Sequence, residues 1–93
     1  MRTIEWTSQF KRDYKREGKG QRRATLDADL FPILGALAND QALESPHRDH
    51  ALTGDWVDHR DCHVKPNLVL IYQKPEDDIL RLVRLGSHSE LGL

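Results

Sequence analysis

His50, Asp61, His63 and His88 are the side chains whose types and spacing could do proton chemistry in this chain. Asp61 and His63 stand two apart in a run that reads as a strand, so they share one of its faces. His50 precedes that run, and His88 follows the last strand-like stretch. All five histidines (His47, His50, His59, His63, His88) fall in the second half of the chain. Histidine changes charge nearest neutral pH, so several on one surface point to proton transfer or metal binding. A sheet that brought His50, Asp61, His63 and His88 to one end would form an acid–base site without a Gly-rich nucleotide loop. A duller reading competes with each. His47 and His59 read as surface residues, and a single His50 or His88 is commonly structural or solvent-facing. Cys62 reads as a small apolar filler, Trp56 and Tyr72 as core, and Arg60 as the partner of an acid across the sheet. The four candidate side chains are also of a type that zinc accepts. There is, however, no HExxH helix, no CxxC pair and no second carboxylate cluster, so no metal and no cofactor is expected.

The elements that must position these residues follow from periodicity. Thr3-Ile4-Glu5-Trp6 alternates like a short strand. Thr7 or Ser8 can cap a helix with Phe10 and Tyr14 on one face and Lys11, Arg12, Lys15 and Arg16 largely exposed. Glu17-Gly18-Lys19-Gly20 ends it. A second helix is expected from about Arg22 to Ala38, because Leu26, Leu30, Ile33, Leu34 and Leu37 recur at helical spacing. Pro32 predicts a kink there, or a helix that begins properly near Asp29. Residues 39–53 read as a connecting loop containing Pro46. Asp55 to Val64, Leu68 to Lys74 and Ile79 to Leu85 read as three strands, the last two joined by a tight turn at Pro75-Glu76-Asp77-Asp78. The expected fold is an α+β domain: an N-terminal strand and a basic helical hairpin packed on an antiparallel sheet of about four strands.

Ninety-three residues make one domain with a modest core. The composition is globular, without repeats or low-complexity segments. A single cysteine, Cys62, cannot form an internal disulfide, which suits a reducing cytoplasm. No apolar run spans a bilayer and no signal peptide is seen, so no membrane role is expected. The net charge of −1 hides an asymmetry: residues 1–23 carry eight Lys/Arg against three acids, and the remainder is net acidic. Such a basic segment suggests docking on a polyanion through one face, although a solvated helix surface would look the same.

The run His50-x-Leu52-x-Gly54-x-Trp56-x3-Arg60-Asp61-x-His63-Val64-x-Pro66-x-Leu68-x-Leu70-Ile71-Tyr72, followed by Gly86-x-His88, closely resembles the YafQ branch of the RelE/ParE toxin superfamily. The resemblance covers about forty residues at many fixed spacings, and the order of elements matches as well. It implies a RelE-like microbial RNase fold and the toxin of a bacterial type II toxin–antitoxin pair. It also implies an mRNA endonuclease that works in the A site of the 70S ribosome, with a cognate antitoxin as partner. By similarity, His50, Asp61, His63, Asn67 and His88 fall on positions that carry activity. Asn67 is a departure, since the branch normally has aspartate there. The family's C-terminal aromatic is also missing, for the chain ends Leu91-Gly92-Leu93.

The residue types suit RNA, whose 2′-OH is a built-in nucleophile. A base removes its proton, an acid protonates the leaving 5′-oxygen, and a 2′,3′-cyclic phosphate forms first. Cations would stabilise the phosphorane-like state, with Lys65, Arg81 and Arg84 as candidates. Lys11, Arg12, Lys15, Arg16, Arg22 and Arg23 would contact ribosomal RNA. The residues leave open which group is base and which is acid; a histidine in each role, with Asp61 orienting, is the expectation. Three other functions compete. A ParE-like gyrase inhibitor would not need the acid–histidine constellation, and a metal hydrolase lacks its motif. A non-catalytic ribosome- or RNA-binding relative is kept open by Asn67.

Overall fold

Thr7 turns the chain from its first strand into its first helix. Its hydroxyl accepts from the Phe10 amide at 3.2 Å, which caps the helix, and donates to the Leu82 carbonyl at 2.8 Å, which ties that corner to the sheet. The computed structural model describes residues 1–93. In order they form β1 (Thr3–Trp6), α1 (Ser8–Glu17), α2 (Leu26–Ala38), β2 (His50–Ala51), β3 (Arg60–Lys65), β4 (Leu68–Glu76), β5 (Ile79–Gly86) and α3 (His88–Leu91). Short 3₁₀ turns cover Ser45–His47 and Gly54–Trp56.

The α+β fold is as expected, with three main differences in detail; in addition, Pro75 and Glu76 belong to β4 rather than to the turn, and the one-turn α3 is not among the expected elements. The sheet has five strands in the order β1-β5-β4-β3-β2, and β1 lies parallel to β5, with Thr3 opposite Ile79 and Trp6 opposite Leu82. It is therefore mixed rather than wholly antiparallel. The alternation of Thr3–Trp6 is the same in either direction, so only packing could settle its sense. Secondly, residues 55–59 are not strand. Gly54 (φ 66°) and Asp58 (φ 70°) turn the backbone through left-handed conformations, and β3 begins at Arg60. Thirdly, α2 starts at Leu26, after Arg22 and before Asp29, and runs unbroken through Pro32. Asp27 and Asp29 favour its first turn. The burial of Leu26, Leu30, Ile33, Leu34 and Leu37 offsets the donor lost at Pro32.

Both faces of the sheet are covered, unequally. α1 and α2 bury Phe10, Leu30 and Leu37 against Cys62, Val64, Leu68, Leu70, Tyr72, Leu80, Leu82 and Leu85. The opposite face has a thinner cover, where Val69 and Ile71 pack with Leu91 of α3, Leu52 and Trp56. Two-sided burial explains why Leu68–Tyr72 is a continuous apolar run rather than an alternating one. Asp61 and His63 alternate with Cys62 and Val64, so they stand on the thinly covered face. No helix is long and apolar enough to cross a membrane.

Candidate active site

Strand pairing sets the first contact. β2 is only two residues long, yet it places His50 directly opposite Asp61 on β3. His50 Nδ1 lies 2.8 Å from the Arg48 carbonyl and 3.0 Å from Asp61 Oδ1. A carbonyl can only accept, so Nδ1 carries the proton and points it at Arg48. Nε2 is then the nitrogen left to take up a proton. Asp61 is 2% exposed, and its Oδ1 is buried without a hydrogen bond despite lying close to His50. A buried polar atom left unpartnered is costly in a fold. Burial pushes the Asp61 carboxyl above its ordinary range, while His50, His63 and His88 pull against that shift.

His88 is presented by α3, a single turn with its own cap. Ser87 Oγ accepts from the Glu90 amide at 3.2 Å, and Glu90 Oε1 accepts from the Ser87 amide at 2.9 Å. Gly86 lets this turn close on α1, for a Cβ there would stand 3.0 Å from the Arg16 guanidinium and 3.2 Å from Glu90. The His88 ring meets His63 edge-on, with centroids 5.0 Å apart. His63 is in turn held through its backbone, where its carbonyl accepts from His47 Nδ1 at 2.7 Å. Burial, and then the charge of His88, hold the His63 imidazole below its ordinary range. An open cavity of about 370 Å³ has His50, Asp61 and His88 on its wall, together with Leu52, Asp55 and Trp56. No set of three or more His, Cys, Asp or Glu side chains is disposed to hold a metal ion.

The structure thus gathers His50, Asp61, His63 and His88. Asn67 sits apart in the exposed turn between β3 and β4, where its carbonyl accepts from Arg22 at 3.0 Å. The candidate cations divide into two groups. Arg84 and Arg16 hold the buried Asp13 at 2.7 and 3.0 Å, Arg22 holds Glu17 at 3.0 Å, Lys65 reaches Asp29 at 3.3 Å, and Arg81 pairs with Glu5. Lys11, Arg12, Lys15 and Arg23 are exposed with no acidic partner. Three contributors to the site's framework escaped the sequence reading. His47, read there as a surface residue, braces His63. Arg48 orients His50. Asp49 accepts from Tyr72 at 2.6 Å and Arg60 at 3.2 Å, anchoring the segment that leads into β2. The signal was the unbroken polar run His47-Arg48-Asp49-His50, which a spacing argument alone could not rank.

Residues 2–92 match the family model of YafQ, the bacterial toxin of a type II toxin–antitoxin system. The chain is 36% identical over 91 residues to the mRNA interferase toxin YafQ of Escherichia coli K12, covering 98% of this chain and 96% of the relative. A copper-bound variant of a Helicobacter pylori toxin has a TM-score of 0.85 to it at 34% identity, over 98% of this chain and 99% of that one. The toxin in the E. coli DinJ–YafQ toxin–antitoxin complex gives a TM-score of 0.80 at 35% identity, over 97% and 96% of the two chains.

Proposed function

Because the chain belongs to the YafQ family of toxins of type II toxin–antitoxin systems, we propose that it is an endoribonuclease that cuts translated mRNA in the ribosomal A site by metal-independent acid–base catalysis. The observation that carries the mechanism is that His50, Asp61 and His88 share one open cavity, with the His63 ring packed against His88 at its edge. A histidine takes the proton of the RNA 2′-OH, and the oxygen attacks the adjacent phosphorus. A second histidine gives a proton to the departing 5′-oxygen, so the products are a 2′,3′-cyclic phosphate and a 5′-hydroxyl. His63, held below its ordinary range, favours the neutral state that a base needs. His50 offers Nε2, with Asp61 beside its protonated nitrogen to orient the ring. Each proton transfer contributes roughly 10²–10⁴-fold. Lys65, Arg81 and Arg84 rank lower as phosphate ligands, because each already holds a carboxylate.

The partners in this reading are the 70S ribosome with its message and a cognate antitoxin, by analogy with the E. coli complex. A second reading, a weakened ribosome-binding relative, is favoured by Asn67, since an amide cannot titrate where the family has a carboxylate. Induced expression followed by mapping of message ends on translated and untranslated transcripts tests both. New ends confined to translated messages are expected, and intact messages would leave the binding reading. In a reconstituted assay, loss of cutting when the protein is stripped with chelator before mixing would overturn the metal-independent step. That arm matters because the Helicobacter relative binds copper.

A further inference from the structure

We propose that Arg48, in the cleft it forms with Pro46, His63 and Pro66, is a phosphodiester-binding residue that holds the RNA backbone against His63. The proposal deepens the RNA-cleavage reading and rests on it for the identity of the ligand. Three observations carry it. The cleft, about 330 Å³, is lined by these four residues, so a group bound there touches His63 directly. Arg48 is exposed and its guanidinium has neither a carboxylate nor a carbonyl partner, unlike Arg2, Arg16, Arg22, Arg60, Arg81 and Arg84. Arg12 and Arg23, the other unpartnered arginines, lie on the helical hairpin. Finally, Arg48 has a left-handed backbone, φ 47° and ψ 48°, which closes the Ser45–His47 turn. Glycine or asparagine fits that conformation better, so the backbone does not account for an arginine there.

The chemistry of the cleft names its ligand. A guanidinium presents paired N–H donors that match two oxygens of a phosphate, and it remains charged at any pH the protein meets. The two prolines add no side-chain donor and supply stiff apolar walls. The charge of Arg48 also helps to keep His63 from protonating, which suits a base beside an anionic substrate. The same residue orients His50 through its carbonyl at 2.8 Å. One left-handed residue therefore serves two candidate catalytic histidines, by its backbone on one side and its side chain on the other.

The test removes the guanidinium and spares the backbone. Arg48→Gly and Arg48→Asn both tolerate the left-handed conformation, and Arg48→Lys keeps a charge. Binding of a fully 2′-O-methylated single-stranded RNA, which cannot be cut, is followed by fluorescence anisotropy over a salt series. Loss of one phosphate contact should lower the slope of log K against log salt by about 0.7 in the Gly and Asn variants, with Lys restoring it. Cleavage of translated message should fall roughly ten- to hundredfold, the worth of a charge-assisted hydrogen bond. Parental slopes in both the Gly and Asn variants would overturn the proposal, even if His88→Ala abolishes cutting and the RNase reading stands. If the parent itself cuts nothing, that reading falls, and the oligonucleotide slopes still decide Arg48.

Discussion

A neutral imidazole takes a proton only on the ring nitrogen that lacks one, so each histidine's partner decides its use. Two consequences can be measured. His63 lies below its ordinary range, so a rate that depends on it as base should rise with pH through a midpoint below the unperturbed value near 6.5. A pH profile of kcat/KM should show that limb, and His63→Ala should remove it along with roughly 10²–10⁴-fold of rate. In the proposed mechanism Asn67, although apart in the β3–β4 turn, has a different bearing on the chemical step. Exchange of a carboxylate for an amide spares hydrogen bonding but abolishes titration. Asn67→Asp should therefore raise cleavage of translated mRNA with little change in RNA binding, and His88→Ala in that background should lower it again. If Asn67→Asp and both histidine variants all cut at the parental rate, the acid–base assignment is wrong.

Among the elements, α1 carries two kinds of cation that composition cannot distinguish. Arg16, though exposed, is tied to Asp13, Glu17 and the Leu85 carbonyl, whereas Lys11, Arg12 and Lys15 are exposed with no acidic partner. Reversing Lys11, Arg12 and Lys15 together should weaken ribosome binding and flatten its salt dependence, leaving the thermal transition near the parental one. Arg16→Glu should instead lower the thermal transition, because it sets a carboxylate against buried Asp13. Binding that is unchanged across the salt series in the triple variant would exclude the exposed face from the contact. At the other end, the Ser87–Glu90 capping box exists for one short turn, and that turn carries His88. Ser87→Ala should cost about 0.5–2 kcal/mol of stability in denaturant titration. It should also lower kcat beyond what the unfolded fraction explains.

Across the whole molecule, Asp13 joins α1 to β5. It accepts from Arg84 at 2.7 Å, Arg16 at 3.0 Å and the Leu85 amide at 3.0 Å. Burial alone would raise its carboxyl, but these donors and the two cationic charges bring it below the ordinary range. Since the folded value is the lower one, its stabilisation is complete above the unfolded value near 3.8 and is lost as pH falls through the folded one. Asp13→Ala leaves Arg84 and the Leu85 amide without this acceptor, while Arg16 keeps Glu17, Glu90 and the Leu85 carbonyl, so a loss of about 1–3 kcal/mol for each orphaned group is expected by urea titration. That is a large part of what so small a domain holds. A variant as stable as the parent, at neutral pH and in acid, would show that the network is not what joins helix to sheet.

Much of this was written in local spacing. Apolar residues at helical intervals mark α1 and α2, and the continuous run of Leu68–Tyr72 marks a strand buried on both sides. The fixed spacings from His50 to His88 point to the family before any coordinate is considered. Other features have no local signature. β1 alternates identically in either direction, and its parallel course beside β5 depends on contacts more than seventy positions away. β2 is too short to show a period, although it alone sets His50 opposite Asp61. Whether an arginine is a free charge or a structural tie depends on an acid as distant as Asp13 is from Arg84. Side-chain type and near-neighbour period are properties of the chain itself, so sequence alone determined the elements and the candidate chemistry. Strand direction, pairing and the partner of each charge arise only when remote segments meet, and those the tertiary structure decided.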